Sequence, residues 1–406
     1  MGKTNKNKNL AERIKWTSWS PRKELSPEFI ADGNKLGISS GNNKNVYGKF
    51  ISGEISIQDS HTVIFEAAFS CRNVKNTEKS VFAMINFYDN QKKLLERDYA
   101  EIIEYDSGKT KKLYRKLDVP AGVSYAIIEI GLRWQPDDVV EFENISIETA
   151  EAEPPRTVRI ATTYKEVRPT PEENLKSIIN VIDKAGGSNP DVILLSELVY
   201  DSCYDDAAAD ERAQAIPGNL TDIIGGYAKK YNTYIIFTMN EKDGDTIYNT
   251  AVIIGRDGGI CGKYRKIHLP LFEAELGTSP GSELKVFDLD FGKVGIIICY
   301  DQYFAETSRT LALMGAEIIF LPTAGEDEII QRAISRSNGI YTVVSAAHQN
   351  PAFSRIINPL GEIVNFVKDE DTAYSIEDID LNKRFFIYWM SVGPANGETK
   401  VLFRKE

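Results

Sequence analysis

The amino-acid sequence predicts an all-β sandwich of the jelly-roll type followed by a larger α/β domain. Short alternating apolar segments fill the first 150 residues, two consecutive prolines follow, and strand-like and helix-like segments then alternate to the end. A chain of 406 residues is also too long for one ordinary hydrophobic core. Both the segment pattern and the length therefore predict two domains.

The first domain is predicted over residues 16–150. Segments such as HTVIFEAAFSC, SVFAMINFYD and YAIIEIGLRW are short and rich in β-branched and aromatic residues. Several segments alternate with a period of two, as at Ile55 and Ile57 or at Ile145 and Ile147, which is typical of half-buried strands. Six or more such strands, separated by turn residues, favour a β-sandwich or jelly roll.

The segments around this domain differ in composition. Residues 1–15 are polar and basic, and we expect a flexible arm there. Residues 151–156 (EAEPPR) are a predicted linker, because two prolines stiffen them and exclude helix. The second domain, 157–406, alternates apolar strands with helices. Helices are predicted at about 174–185, where apolar residues recur at helical spacing, and at about 306–314.

Composition limits the function classes. A formal net charge of -11 argues against nucleic acid as a main partner, because phosphate binding needs a basic surface. No apolar run approaches the ~20 residues that span a bilayer, so we expect no membrane insertion. Cysteine usage is sparse and histidine is rare, which disfavours a disulfide framework or a metal centre and favours the cytoplasm. The cysteines are Cys71, Cys203, Cys261 and Cys299.

Three polar or reactive residues follow apolar strands of the second domain. Glu197 ends DVILLSEL, Cys299 ends KVGIIIC, and Lys266 lies in GKYRKIHLP. Strand ends in α/β sheets are where ligands bind. Taken singly, each residue has an ordinary structural explanation. Together they supply a thiol nucleophile, a carboxylate to take its proton and a cation for an oxyanion, with the ammonium and a helix start favouring the thiolate.

The segments around these residues resemble the nitrilase superfamily of carbon–nitrogen hydrolases. ILLSEL is similar to its catalytic-glutamate segment, IYNTAVIIGRDGGICGKYRKIHL to the stretch that ends in its lysine, and IICYDQYFAE to its nucleophile turn. LMGAEIIFLPT and SRIINPLGEIV match further segments in the same order. The resemblance covers about residues 156–406.

This resemblance implies a four-layer α-β-β-α sandwich and a Glu–Lys–Cys mechanism without metal or cofactor. It implies Glu197 as the general base and later acid, and Cys299 as the nucleophile. Lys266 and the backbone N–H of Tyr300 are implied to stabilise the oxyanion. Nitrilase-like domains generally pair through symmetric contacts, so we also expect a homo-oligomer with a C2 dimer as its unit.

Some family positions match less clearly. The family often has a second glutamate near the thiol, and the segment FEAELGTSPG offers Glu273 and Glu275, of which we favour Glu273. Asp301 and Glu306 also match, and we expect structural roles for them as carboxylates at a helix start. His268 is expected to be a structural neighbour of the lysine.

The predicted activity is hydrolysis of a small amide or N-carbamoyl compound, with release of ammonia or an amine. Nitrile hydrolysis is the alternative within the class. A retired ligand- or carbohydrate-binding protein is the alternative from another class, because the first domain weakly resembles galactose-binding-like and carbohydrate-binding-module sandwiches. Trp16, Trp19 and Trp134 would then stack on a sugar ring, although we favour a place for them in the core.

Overall fold

The chain divides into two compact units, with the boundary between Pro154 and Pro155. The computed structural model describes residues 9–10, 14–32, 35–57, 62–74, 76–105, 110–152, 154–201, 209–325, 327–347, 350–383 and 385. Most of the predicted N-terminal arm, and Cys203, lie outside these residues.

The first unit consists mainly of β-strands. Among its described residues, the helical segments are a 3-10 turn at Lys23–Leu25 and one helical turn, α1 (Thr77–Ser80). The strands are β1 (Trp16–Trp19), β2 (Glu28–Asp32), β3 (Lys35–Ser39), β4 (Tyr47–Ser52), β5 (Ile55–Ser56), β6 (Thr62–Cys71), β7 (Val81–Tyr88), β8 (Leu94–Tyr99), β9 (Glu101–Tyr105), β10 (Thr110–Asp118), β11 (Tyr125–Arg133) and β12 (Val139–Ala150).

These strands form two antiparallel sheets around one core. The first has the order β1-β4-β11-β7-β8, with β5 beside β11, and the second has the order β2-β3-β12-β6-β10-β9. The alternation read from the sequence places every second side chain in the core, as at Ile128 and Ile130 of β11. Phe65 and Ala67 of β6 face them from the second sheet. The apolar faces of both sheets are thereby removed from water.

The tryptophans of this unit differ in exposure. Trp16 packs against the core, as expected. Trp19 and Trp134 are 42% and 44% exposed, so the expectation of a core position is wrong for them. Trp134 follows β11 in a left-handed backbone conformation (φ +55°), and its ring lies over the Arg133 guanidinium, 4.7 Å from the ring centre. Lys49 lies over Trp19 at 4.6 Å. Each exposed ring therefore has a cation on one face.

The second unit alternates helices and strands, as the sequence predicts for an α/β structure. Its helices are α2 (Pro171–Gly186), α3 (Ala209–Arg212), α4 (Asn219–Tyr231), α5 (Leu271–Glu275), α6 (Ala305–Leu313) and α7 (Glu328–Asn338), with 3-10 turns at Cys299–Tyr303 and Pro351–Phe353. Its strands are β13 (Thr157–Thr163), β14 (Val192–Leu194), β15 (Tyr234–Asp243), β16 (Thr246–Ile254), β17 (Ile260–Arg265), β18 (Val286–Leu289), β19 (Gly292–Ile296), β20 (Ile318–Thr323), β21 (Tyr341–Ala346), β22 (Arg355–Ile357), β23 (Ile363–Phe366) and β24 (Tyr374–Asp380).

Two six-stranded sheets form the centre of this unit. One has the order β17-β16-β15-β14-β13-β24, and the other has the order β18-β19-β20-β21-β22-β23. A cluster that includes Ile160, Leu194, Ile296 and Phe320 packs between the two sheets. Helices α2 and α4 cover the outer face of the first sheet, and α6 and α7 cover that of the second. The central strands are buried on both faces, which explains their nearly continuous apolar sequences.

Local sequence explains where the main helices begin and end. Thr170 caps α2 by accepting a hydrogen bond from the Glu173 backbone N–H at 3.2 Å, and Pro171 fits the first helical position. Asp327 caps α7 in the same way through the Ile330 N–H at 3.1 Å. Helix α7 ends at Gly339, whose φ of +65° suits glycine. Within the described residues, no helix has the length and apolar character needed to cross a bilayer.

Candidate active site

The strand directions bring the three candidate residues to one edge of the unit. Strands β14 and β17 run in the same direction, because β14 is parallel to β15 and two antiparallel pairings then lead to β17. Glu197 follows β14 and Lys266 follows β17, so both lie at the carboxyl edge of the first sheet. Cys299 follows β19 of the second sheet. The edges meet where the Ala324 backbone N–H, just after β20, donates to Glu197 Oε2 at 2.9 Å.

Glu197 is held at both carboxylate oxygens. Its Oε1 accepts hydrogen bonds from Asn249 Nδ2 and from Lys266 Nζ, each at 2.9 Å, and its Oε2 accepts the Ala324 bond. Glu197 is buried, with 3% of its surface exposed. The next residue, Leu198, has a φ of +44° and donates its N–H to Thr238 Oγ1 at 2.5 Å. The carboxylate therefore has a fixed position and direction.

Lys266 is fully buried between two glutamates. Its Nζ lies 2.9 Å from Glu197 Oε1 and 2.5 Å from Glu273 Oε1, and its residue exposure is 0%. Burial disfavours the ammonium, but its interactions with Glu197 and Glu273 act in the opposite direction, and the pKa of Lys266 is raised. The side chain is therefore a permanent cation at neutral pH.

The two glutamates that the sequence offered as a second carboxylate differ in position. Glu273, on α5, contacts the Lys266 ammonium, whereas Glu275 is exposed to solvent. Burial, and then repulsion from Glu197, raise the pKa of Glu273 above its usual value. The structure thus places the favoured candidate, Glu273, beside the lysine.

Cys299 occupies a strained turn and carries a protonated thiol. Its φ of +44° is uncommon for a residue with a side chain. Burial, and then the charge of Glu197, raise the pKa of the thiol to about 12, against the lowering effects of Lys266, Thr323 and the Ala324 backbone. The ammonium lowers this pKa, as the sequence predicts, but burial has the larger effect and reverses the net shift. The thiol must lose its proton to a base during attack.

The residues after Cys299 form an aromatic cluster. The rings of Tyr300 and Tyr303 are exposed, and Tyr300 contacts Phe304 edge-on with ring centres 5.4 Å apart. Phe304 stacks on His268 at 3.8 Å. His268, two residues after Lys266, is therefore packed against the nucleophile turn as a structural neighbour.

The two carboxylates expected at a helix start have different surroundings. Asp301 is fully buried and accepts hydrogen bonds from several partners. Glu306 is exposed on α6. Arg309, one turn further, donates to the Ser337 carbonyl and to Asn338 Oδ1.

Sequence reasoning missed the residues that fix the carboxylate. Asn249 lies in β16, donates through its side chain to Glu197, and accepts the Lys266 backbone N–H at its carbonyl at 2.9 Å. Thr323, the last residue of β20, and Ala324, which follows it, lie beside the thiol and the carboxylate. The one available signal was a polar Asn in an otherwise apolar strand, in YNTAVII. Neither its partner nor the role of a backbone N–H can be derived from residue types.

A second buried carboxylate follows Glu197 on the same segment. Asp201 is 5% exposed, and its Oδ2 accepts the Asn240 backbone N–H at 2.8 Å. Its Oδ1 is buried and has no hydrogen-bond partner among the residues that the structure describes. Burial raises its pKa to about 7, although the Asn240 bond and the charge of Arg212 act in the opposite direction.

We expect Asp201→Asn to stabilise the protein above pH 7. A carboxyl whose pKa is raised by folding contributes stability that is fully present below its unfolded pKa, 3.8, and lost as the pH rises to about 7. Above pH 7, the difference between the two pKa values lowers the free energy of unfolding by about 4 kcal/mol. The asparagine still accepts the Asn240 bond and carries no charge. Thermal unfolding at pH 8.5 and pH 4 checks this, and an equal effect at both pH values would contradict it.

Metal ligation has no candidate among the described residues. Across those ranges, no group of three or more His, Cys, Asp or Glu side chains has the arrangement needed to hold a metal ion. The chemically distinctive groups at this edge are one thiol, one ammonium and two carboxylates.

Comparison with known proteins identifies the second unit. The sequence profile of the carbon–nitrogen hydrolase family matches residues 157–384. A nitrilase of Pyrococcus abyssi is 33% identical over 246 residues, covering 55% of this chain and 93% of the relative. An omega-amidase of Xenopus laevis is 30% identical over 238 residues, covering 53% of this chain and 86% of the relative.

Among solved structures, the fold is similar to that of a carbon–nitrogen hydrolase from Helicobacter pylori. The TM-score is 0.50 at 21% identity, and the match covers 55% of this chain and 89% of the other. The matched profile spans more than half of the chain and includes Glu197, Lys266 and Cys299. The chain belongs to the carbon–nitrogen hydrolase family of the nitrilase superfamily and is an enzyme of that class.

Proposed function

We propose that the protein hydrolyses a small amide or N-carbamoyl compound through a thioester on Cys299. One observation carries this proposal: the buried Glu197 carboxylate, with both oxygens fixed, accepts a hydrogen bond from the buried Lys266 ammonium and acts electrostatically on the Cys299 thiol. This arrangement supplies a base, an oxyanion-stabilising cation and a nucleophile within one site.

The first half-reaction begins with proton transfer from Cys299 Sγ to Glu197 as the sulfur attacks the carbonyl carbon. The raised pKa of the thiol requires this transfer to accompany attack. The Lys266 ammonium and the Tyr300 backbone N–H stabilise the tetrahedral oxyanion. Glu197 returns the proton to the departing nitrogen and the C–N bond breaks. Ammonia or an amine departs, and the acyl group remains on Cys299 as a thioester.

The second half-reaction uses water as the nucleophile. Glu197 accepts a proton from the water as its oxygen attacks the thioester carbon, and the same cation stabilises the second oxyanion. The C–S bond then breaks, Cys299 Sγ recovers its proton from Glu197, and a carboxylic acid or carbamate departs. The cycle restores every protein group and needs no external electron donor or acceptor.

Glu273 contributes by holding the Lys266 ammonium, so we expect Glu273→Gln to lower kcat about 10- to 100-fold. This range corresponds to losing one charge-assisted hydrogen bond in the transition state. Glu275→Gln is the matched control, because it makes the same substitution two residues away on an exposed side chain. Steady-state kinetics should give kcat for both variants. Equal kcat values for Glu273→Gln and Glu275→Gln would show that Glu273 has no part in the mechanism.

The substrate class is tested by an ammonia-release screen across small amides, ureides and nitriles. We expect release from amides or N-carbamoyl compounds, supported by the similarity to an omega-amidase. The similarity to a protein named nitrilase makes nitriles the second candidate. Cys299→Ala serves as the blank. If no compound releases more ammonia with the wild-type protein than with the blank, the proposal fails.

We also infer a β-sandwich accessory domain over residues 16–150, a linker over 151–156 and a hydrolase domain over 157–406. The four-layer α-β-β-α arrangement belongs to this inference and is supported by helices on the outer face of both central sheets. A homo-oligomer built from a C2 dimer is supported by large apolar side chains exposed on the second unit, such as Phe272 and Ile329. Sizing chromatography tests the oligomer.

A further inference from the structure

The buried carboxylate of Asp301 receives hydrogen bonds from three residues on two segments. Its Oδ2 accepts from Tyr264 Oη at 2.8 Å and from the Ile298 backbone N–H at 2.9 Å. Its Oδ1 accepts from the His268 backbone N–H at 2.9 Å and lies 3.0 Å from His268 Nδ1. Because an ionised carboxylate only accepts, Nδ1 carries the ring proton in this arrangement.

Two of these partners bracket the lysine. Tyr264 lies two residues before Lys266 and His268 two residues after it. Tyr264 is buried, and burial followed by the charge of Asp301 raises the pKa of its hydroxyl, so it remains a donor. The His268 ring is additionally fixed by its stack on Phe304. A residue on each side of Lys266 is therefore hydrogen bonded to Asp301.

The third partner brackets the nucleophile. Ile298 donates its N–H to the Asp301 side chain, and the Asp301 N–H donates back to the Ile298 carbonyl at 3.0 Å. This reciprocal pair encloses Cys299, whose positive φ is a conformation that costs on the order of 1 kcal/mol or more. The pair thus holds the thiol-bearing residue in a conformation that it would not adopt unaided.

We propose that Asp301 is the positioning residue that fixes Cys299 against Lys266, because one buried carboxylate joins the nucleophile turn of one sheet to the lysine segment of the other. It does not touch the reacting atoms. The consequence for rate rests on the proposed hydrolysis. A displacement of the thiol by about 1 Å typically costs on the order of 10²-fold in rate.

The test is Asp301→Asn, because the amide keeps the side-chain shape but presents an NH₂ group to donors. We expect kcat to fall about 10- to 100-fold, with KM within about threefold. We also expect iodoacetamide alkylation of the Cys299 peptide, followed by mass spectrometry, to slow in parallel. Glu306→Gln is the matched control, since it neutralises an exposed carboxylate five residues away.

Tyr264→Phe keeps the test decisive if Asp301→Asn fails to fold, since it removes one hydroxyl donor and leaves the ring. We expect a smaller loss of kcat and of alkylation rate from Tyr264→Phe alone. Where Asp301→Asn folds, the double variant should lose less than the product of the single effects. A merely structural role would lower the unfolding temperature and leave both rates unchanged well below it.

Folded variants with both rates within twofold of Glu306→Gln would overturn the proposal. The alkylation readout does not depend on amide hydrolysis. If the wild-type protein released no ammonia while alkylation still slowed in the variants, the proposed function would fail and the positioning role would stand.

Discussion

Cys299→Ala is expected to abolish hydrolysis while leaving the fold intact. The substitution removes the only atom that forms the covalent intermediate, and it replaces one small side chain by another at a partly buried position. Ammonia release should fall to the level measured without protein, and circular dichroism and the unfolding temperature should remain close to those of the wild-type protein.

The same substitution at Cys71, Cys203 or Cys261 is the control for this prediction. Cys71 lies in the first unit and Cys261 is exposed, so neither should affect turnover. If Cys299→Ala retained more than a few per cent of wild-type turnover, or if one of the control variants lost it, the nucleophile would be misassigned.

Glu197→Gln and Lys266→Met are each expected to lower kcat at least ~10²-fold, the usual scale for losing a general base or an oxyanion donor. Their effects on the thiol should be opposite. Glu197 raises and Lys266 lowers the pKa of Cys299, so the first variant should lower that pKa and the second should raise it further. Thiolate absorbance, measured against Cys299→Ala at increasing pH, distinguishes the two.

Lys285→Met is a suitable control, because Lys285 is an exposed lysine paired with Glu283. It should change neither kcat nor the thiol titration. Two variants that shifted the thiol pKa in the same direction would show that the charges around Cys299 are not arranged as described. Glu197→Gln with nearly wild-type kcat would require another base.

The sequence was most informative about the candidate site where a chemically reactive side chain directly follows a strand. Glu197 and Cys299 each follow an apolar strand, Lys266 follows β17, and the three residues lie at one edge of the unit. The α/β alternation predicted helices near α2 and α6, because their apolar spacing and flanking residues are local features. These features depend on neighbours within a few residues.

The features that were missed depend on contacts distant in sequence. The ammonium and the positive end of a helix suggested a low thiol pKa, but the degree of burial, which reverses the shift, is a property of the packed sheets. Asn249 and Ala324 became recognisable only when their hydrogen bonds to Glu197 were known. Asp301 was expected at a helix start, and its bonds to Tyr264 and His268 span more than 30 residues.

The most direct test of the central claim is detection of a thioester on Cys299 during turnover. Rapid acid quenching with a hydrolysed amide, followed by peptide mass spectrometry, should show the acyl group of the substrate on the Cys299 peptide, and added hydroxylamine should divert it to a hydroxamic acid. Turnover with an unmodified Cys299 peptide and no hydroxamate would contradict the mechanism.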